Sequence, residues 1–234
     1  GYSEGESLSE KDRDWFKLNP SFLMDLFVMN ADGSNVQRLT SQEGYDGGPF
    51  FDAEGKRICW RRFNREGDQA EIFTMELAGK KEKQLTDLGA MSWAPYFHPS
   101  GEYLIFATNL NGFANFELYL VDAAGEKDPV RVTWTEGFDG LPAFSPDGNR
   151  LSWTSKRSGL PGSQIFLGQW NHDGALALLA AAPDRGAAPN GPDSQEPGPS
   201  LDALQGLAST SAEIDKGDLR HHIEYLAGPS WRGG

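Results

Sequence analysis

The sequence predicts an all-β fold: a partial β-propeller of about 3.5 four-stranded antiparallel blades, followed by a linker and a short C-terminal helix. Three observations carry this. One set of landmarks recurs every 46 or 47 residues, hairpin-type dipeptides stand at matching places, and each period splits into four short strand-like runs. The composition agrees, since 28 Gly, 14 Pro and 12% aromatics in 234 residues suit a turn-rich packed fold better than a helix bundle or a disordered chain.

The period is read from four landmarks. Leu39-Thr40, Leu85-Thr86 and Val132-Thr133 are 46 and 47 apart, as are Pro49, Pro95 and Pro142, and Gly55, Gly101 and Gly148. The pairs Leu26-Phe27, Ile72-Phe73, Leu118-Tyr119 and Ile165-Phe166 follow at 46, 46 and 47. In the middle period, PYFHPSG is a strand closing on a Pro-Ser-Gly turn, and EYLIFAT is an alternating strand rich in β-formers. NFELYLVDAAG is the third strand, and KDPVRVTW is a short edge strand that tolerates Pro129 near its start. The dipeptides Asp32-Gly33, Ser100-Gly101, Asp147-Gly148 and Asp173-Gly174 supply the backbone that tight hairpins need. A β-sandwich also has regular short strands, but it does not repeat its sequence.

Strand alternation then places Phe51, Phe97 and Phe144 in one phase, two residues after the repeating prolines. Trp60, Phe106 and Trp153 follow nine residues on. All six rings are expected between neighbouring sheets as the repeating core.

DLFVMNADGSNVQRLT (Asp25 to Thr40) and PAFSPDGNRLSWTS (Pro142 to Ser155) resemble the TolB-type, WD-like propeller repeat. The resemblance spans about residues 22–180, with Asp52-Ala53-Glu54-Gly55 and His98-Pro99-Ser100-Gly101 replacing Ser-Pro-Asp-Gly in two units. It implies a non-catalytic, periplasmic or secreted binding domain, because such repeats occur in periplasmic binding proteins and beside peptidases. The span holds fewer repeats than the six or seven blades usual in that family. Either blades are missing upstream, in a longer parent chain, or another chain completes the ring. Missing blades are the expectation, because the sequence opens partway through a blade, and an open arc is expected to self-associate through its bare strand edges.

Composition shifts after Leu179. Residues 1–21 read as the lead-in of an incomplete blade, 22–180 as blades, 181–212 as a Pro/Gly/Ala-rich linker and 213–234 as helical. In the last stretch Ile214, Leu219, Ile223 and Leu226 take partial helical spacing, Asp218 caps, and Gly228-Pro229 stops the helix. Asp218 to Gly234 resembles the opening segment of zinc-dependent aminopeptidases with two co-catalytic zincs, through Leu219, His222, Ile223, Leu226, Ala227 and the run Trp231 to Gly234. That resemblance implies a downstream peptidase domain holding zinc, with no cofactor in the present residues.

Charge excludes one partner class. With 21 basic against 34 acidic residues the net charge is −13, which repels phosphate backbones, so nucleic acid is not expected. No apolar run is long enough for a membrane span. The acidic, polar start is unlike a signal peptide. A single cysteine, Cys59, permits no internal disulfide and reads as a small buried hydrophobe on a strand.

No catalytic constellation emerges. His98 and His172 read as surface residues of hairpin turns, and His221-His222 point about 100° apart on a helix, so they cannot share a metal. Ser145 fits a strand-to-turn position rather than a nucleophile elbow. The Asp-Gly pairs lack the further ligands of a calcium loop. Binding surface remains, on the loops between blades and between second and third strands. The candidate residues are Tyr45, Asp46, Trp93, Trp134, Phe138 and Asp139, where aromatics beside polar groups suit a peptide or protein partner. Packing of the same rings between blades is an equal alternative.

The expected function is a non-catalytic module that recruits or gates peptide or protein substrate for a downstream zinc aminopeptidase. The alternative is a TolB-like periplasmic protein-interaction module. The propeller half of a prolyl-oligopeptidase-type serine peptidase is disfavoured, since the tail lacks the strand-rich start of an α/β-hydrolase.

Overall fold

The structure, a computed structural model, describes residues 24–42, 44–157 and 162–186, and the strand 208–210. The first sheet pairs β1 (Phe27–Val28) with β2 (Gln37–Arg38). The second orders β3 (Asp46–Phe51), β4 (Arg57–Phe63), β5 (Ala70–Glu76) and β6 (Lys81–Gln84). The third orders β7 (Ser92–Phe97), β8 (Tyr103–Thr108), β9 (Glu117–Asp122) and β10 (Val130–Arg131). The fourth joins β11 (Asp139–Phe144), β12 (Arg150–Ser155) and β13 (Gln164–Trp170) to β14 (Ala208–Thr210). All pairings are antiparallel, and the first strands β3, β7 and β11 lie against one another, as propeller blades do around an axis. The four strands of the middle period fall on the four runs read from it.

The Leu-Thr landmark has a physical cause. The N–H groups of Leu26, Ile72 and Leu118 donate to the hydroxyls of Thr40, Thr86 and Thr133, at 2.9, 2.8 and 2.8 Å. The N–H groups of Leu39, Leu85 and Val132 donate in return to the carbonyls of Leu26, Ile72 and Leu118. The Thr86 and Thr133 hydroxyls donate in turn to the carboxylates of Glu71 and Glu117, each at 2.5 Å. Threonine thus closes the outer end of each ladder where the fourth strand leaves it, which no apolar β-branched residue could do.

The core divides by seam. Cys59, Ile72, Leu85, Phe97, Leu104 and Phe106 pack between the second and third sheets. Tyr103, Ile105, Leu118, Phe144, Leu151 and Trp153 pack between the third and fourth. Five of the six phased aromatics are buried as expected, Trp60, Phe97, Phe106, Phe144 and Trp153. Phe51 is not: it is 56% exposed. Phe97 and Phe144 are each covered by the strands of the preceding sheet. Before Phe51, the described residues supply only β1 and β2, so it keeps the phase of the other two rings, but no described strand packs over it.

One further expectation is corrected after β13. Asp173-Gly174 is not a hairpin turn. It lies in the first turn of helix α1 (His172–Ala181), capped by Asn171, whose side chain accepts from Gly174 N–H at 2.9 Å. The Ala/Leu-rich run that follows has high helix propensity and buries Ala175 and Leu179, four residues apart, on the core. The fourth strand of that sheet is supplied instead by β14, from farther along the chain. After α1 the chain crosses back over the earlier sheets: Asp128 N–H donates to Pro183 O, Arg185 N–H to Glu126 O, and the Arg185 guanidinium to Gln84 O. The helix expected within 213–234 lies outside the described residues.

Candidate binding site

Strand directions give the blades two ends. The β3–β4, β7–β8 and β11–β12 turns and helix α1 share one end, and the loops carrying Tyr45, Trp134 and Phe138 lie at the other, with Trp93 at the start of β7. Each first strand begins at this loop end and carries a bulge, between Gly47 and Phe50, Trp93 and Tyr96, or Gly140 and Ala143. The bulged residues Gly48, Ala94 and Leu141 keep the repeat's spacing and are all left-handed, with φ of 64°, 48° and 54°. Each is followed by a proline, which donates nothing to a ladder, so bulge and proline together blunt these edge strands.

The two acidic candidates are consumed by the fold. Asp46 is buried, and its Oδ1 accepts from Trp60 Nε1 at 2.9 Å and Arg62 Nε at 2.7 Å, while its Oδ2 accepts from Arg62 Nη2. Arg62 also reaches Glu82 at 2.9 Å. Burial opposes the charge on Arg62, but the bonds to Asp46 and Glu82 outweigh it and hold its pKa above normal. Asp139 is likewise buried and paired with Arg157 at 2.5 Å. A third pair, Glu117–Arg131 at 2.8 Å, sits by Thr133. Burial pushes the Glu117 carboxyl upward, with Thr133 and Arg131 working against that.

The aromatic candidates are half-buried and fall into separate groups. Trp93 and Phe138 both pack on Phe116, with centroids 4.8 and 5.6 Å away, bridging the third and fourth sheets. Trp134 lies under the Arg131 guanidinium at 5.5 Å. Tyr45 stands edge-on to Phe63 at 5.7 Å. The rings of Tyr45 and Phe138 fold over Gly47 and Gly140, where an added Cβ would come within 2.5 Å of a ring atom. Two loop-end residues missed by the sequence reading are Leu110, exposed, and Phe113, 84% exposed. Their signal was in the sequence, as the apolar residues of TNLNGFAN, a loop otherwise polar or small.

At the opposite end His98 corrects its expectation, since it is buried rather than on the surface. Its ring stacks on both Tyr103 at 4.6 Å and His172 at 4.5 Å, which are themselves 5.6 Å apart, and Nε2 lies 3.2 Å from Gly148 O. Burial lowers its pKa, the Gly148 bond opposing. Parallel stacking turns the two imidazole faces toward each other, so their lone pairs do not converge on a metal. Among the described residues no group of three or more His, Cys, Asp or Glu is gathered to hold a metal ion. Cys59 is fully buried, its Sγ 3.4 Å from Pro95 O, and burial pushes its thiol far up. Ser145 serves its turn, accepting from Arg150 N–H at 3.0 Å and donating to Asp147 at 2.5 Å.

Comparison with known proteins places this geometry. The PD40 family, described as the TolB beta propeller domain, matches residues 24–185. A Protein TolB homolog of Chlorobium chlorochromatii is 30% identical over 142 residues, 61% of this chain and 31% of its own length. The Tol-Pal system protein TolB of Helicobacter hepaticus is 29% identical over 140 residues, 58% of this chain and 32% of its own. The chain thus spans about a third of the length of these relatives. Among solved structures, TolB from Acinetobacter baumannii aligns with a TM-score of 0.51 at 19% identity, over 68% of this chain and 36% of that one. A TolB described as putative, from Agrobacterium tumefaciens, aligns at 0.52 and 18%, over 64% and 53%. At these identities the structural likeness speaks for the fold.

Proposed function

The chain belongs to the TolB β-propeller domain family, and from that premise we propose that it is a protein- or peptide-binding module that works through its loop end. The observation that carries this is the exposure of Phe113 and Leu110 at the same end of the blades as the half-buried rings of Tyr45, Trp93, Trp134 and Phe138. An apolar side chain 84% exposed on a loop gains by being covered, and rigid blades hold it in place. The inward carboxylates Asp46 and Asp139 fix loop geometry through their arginines rather than meeting the partner.

Two settings for this binding are proposed. In the first, the module recruits or gates peptide substrate for a downstream zinc exopeptidase, a reading supported by the resemblance of Asp218 to Gly234, which lies outside the described residues. Zinc would then belong to that downstream domain. In the second, favoured by the TolB relatives, the module docks a protein partner in the periplasm. Among the described residues no helix is long and apolar enough to cross a membrane.

A photo-crosslinking amino acid at Phe113, compared with one at Asn149 on the turn end, tests the shared premise. The expected result is one discrete protein adduct from position 113, with the identified partner bound more weakly by Phe113→Ser. Equal labelling from both positions, or unchanged affinity of the serine variant, overturns it. The two settings separate on adjoining coding sequence, where a zinc-ligand pattern supports the first.

A further inference from the structure

We infer that Arg61 is a carboxylate-binding residue at the loop end, placed to receive one acidic group of a partner protein. This rests on the binding-module reading and names the chemistry the partner must present. On β4, alternation puts Arg57, Cys59 and Arg61 on the side facing the third sheet. Arg57 spends its guanidinium on Asp52 at 2.9 Å and Gly101 O at 2.8 Å, and Cys59 meets Pro95 O. Arg61, at the loop end of the same row, forms no ion pair with any described residue, and its Nε is buried without a hydrogen-bond partner. Its neighbour Arg62 is closed by Asp46 and Glu82.

The site around Arg61 is built. Its guanidinium lies over Tyr45 at 5.4 Å and Phe63 at 5.9 Å, so its plane is held by two rings. Gly48 vacates the space it occupies, since a Cβ there would stand 2.4 Å from Arg61 Nη1. The repeat supplies the control. The residues matching Arg61 in the next two sheets are Ala107 and Thr154, and there the bulge carries side chains, Ala94 and Leu141. Glycine stands at the bulge only where the facing residue is arginine.

A guanidinium with a buried, unbonded Nε–H costs stability. Its two terminal nitrogens, which no described residue bonds, offer an end-on fork of donors, a shape a carboxylate fills with two parallel bonds while Nε itself stays out of the partner's reach. The chain's net charge of −13 works against long acidic tracts at a distance, while screening over about 10 Å at 0.1 M salt leaves contact with a single carboxylate open. The partner chemistry is therefore one positioned Asp, Glu or C-terminal carboxylate beside apolar surface.

The test uses the unmodified chain and reads the 15N–1H signal of Arg61 Nε, assigned by its loss in Arg61→Lys or by through-bond correlation if that variant does not fold. N-acetylglycinate is the probe, with N-acetylglycinamide, sodium chloride and inorganic phosphate as comparisons. The expected result is a saturable shift of the Arg61 signal with N-acetylglycinate in the millimolar range, at least tenfold weaker with the amide, while the Arg62 signal stays in place. No shift, equal movement of Arg61 and Arg62, or equal response to phosphate or chloride overturns the assignment. Crosslinking at Phe113 reads protein capture and this titration reads a small carboxylate, so either can fail without the other.

Discussion

Truncating Phe144 to alanine measures the repeat packing directly, because the same phase supplies its own control. Phe144 is buried among Trp170 at 5.1 Å, His98 at 4.9 Å and Tyr103 at 6.2 Å, three near edge-on contacts, with Tyr96 beyond at 6.5 Å. Full truncation of a buried phenylalanine costs about 3–5 kcal/mol. The upper half of that range applies here, because the surrounding rings belong to two different sheets and cannot collapse into the space together. Phe51 occupies the equivalent strand position but is 56% exposed. Full burial of such a side chain contributes about 1.5–3 kcal/mol, so Phe51→Ala should cost about 1 kcal/mol or less. Urea unfolding followed by tryptophan fluorescence, with m-values checked for constancy, reads both variants. A Phe51→Ala loss equal to or above that of Phe144→Ala refutes the seam packing argued from the repeat.

Other outcomes follow from individual sites. Leu141 is left-handed and 60% exposed, so Leu141→Gly should raise stability by about 1 kcal/mol in the same unfolding assay. Thr133→Val removes both the acceptor for Leu118 N–H and the donor to Glu117, and should cost about 1–3 kcal/mol, while Thr133→Ser keeps most of it. Because His98 titrates below its ordinary 6.5 when folded, the unfolded chain takes up the proton first. Its contribution is therefore complete above pH 6.5 and is lost as pH falls toward the lowered value; His98→Asn should flatten that limb of a pH–stability curve. Cys59 should resist alkylation in the native state at pH 8 and react only at the rate of unfolding, measurable by mass spectrometry in rising urea.

By itself the sequence determined the period, the four-strand unit, the hairpin turns and the seam aromatics. These depend on alternation and turn chemistry within about 50 residues, and Phe97, Trp60 and Trp153 sit where that arithmetic puts them. The tertiary structure decided whatever depends on a neighbouring sheet. It left Phe51 exposed, with no described strand packed over its ring, and buried His98 because Gly148 and His172 arrive from the fourth sheet and α1. It turned Asp173-Gly174 into a helix start because Asn171 caps an Ala/Leu run with a core face to cover. Asp46 and Asp139 looked like exposed loop polar groups, yet each is held inward by an arginine sixteen to eighteen residues away. Arg61 and Arg62 are adjacent and chemically identical in the sequence. Only their opposite strand faces decide that one is closed by two carboxylates and the other presents its guanidinium beside Gly48.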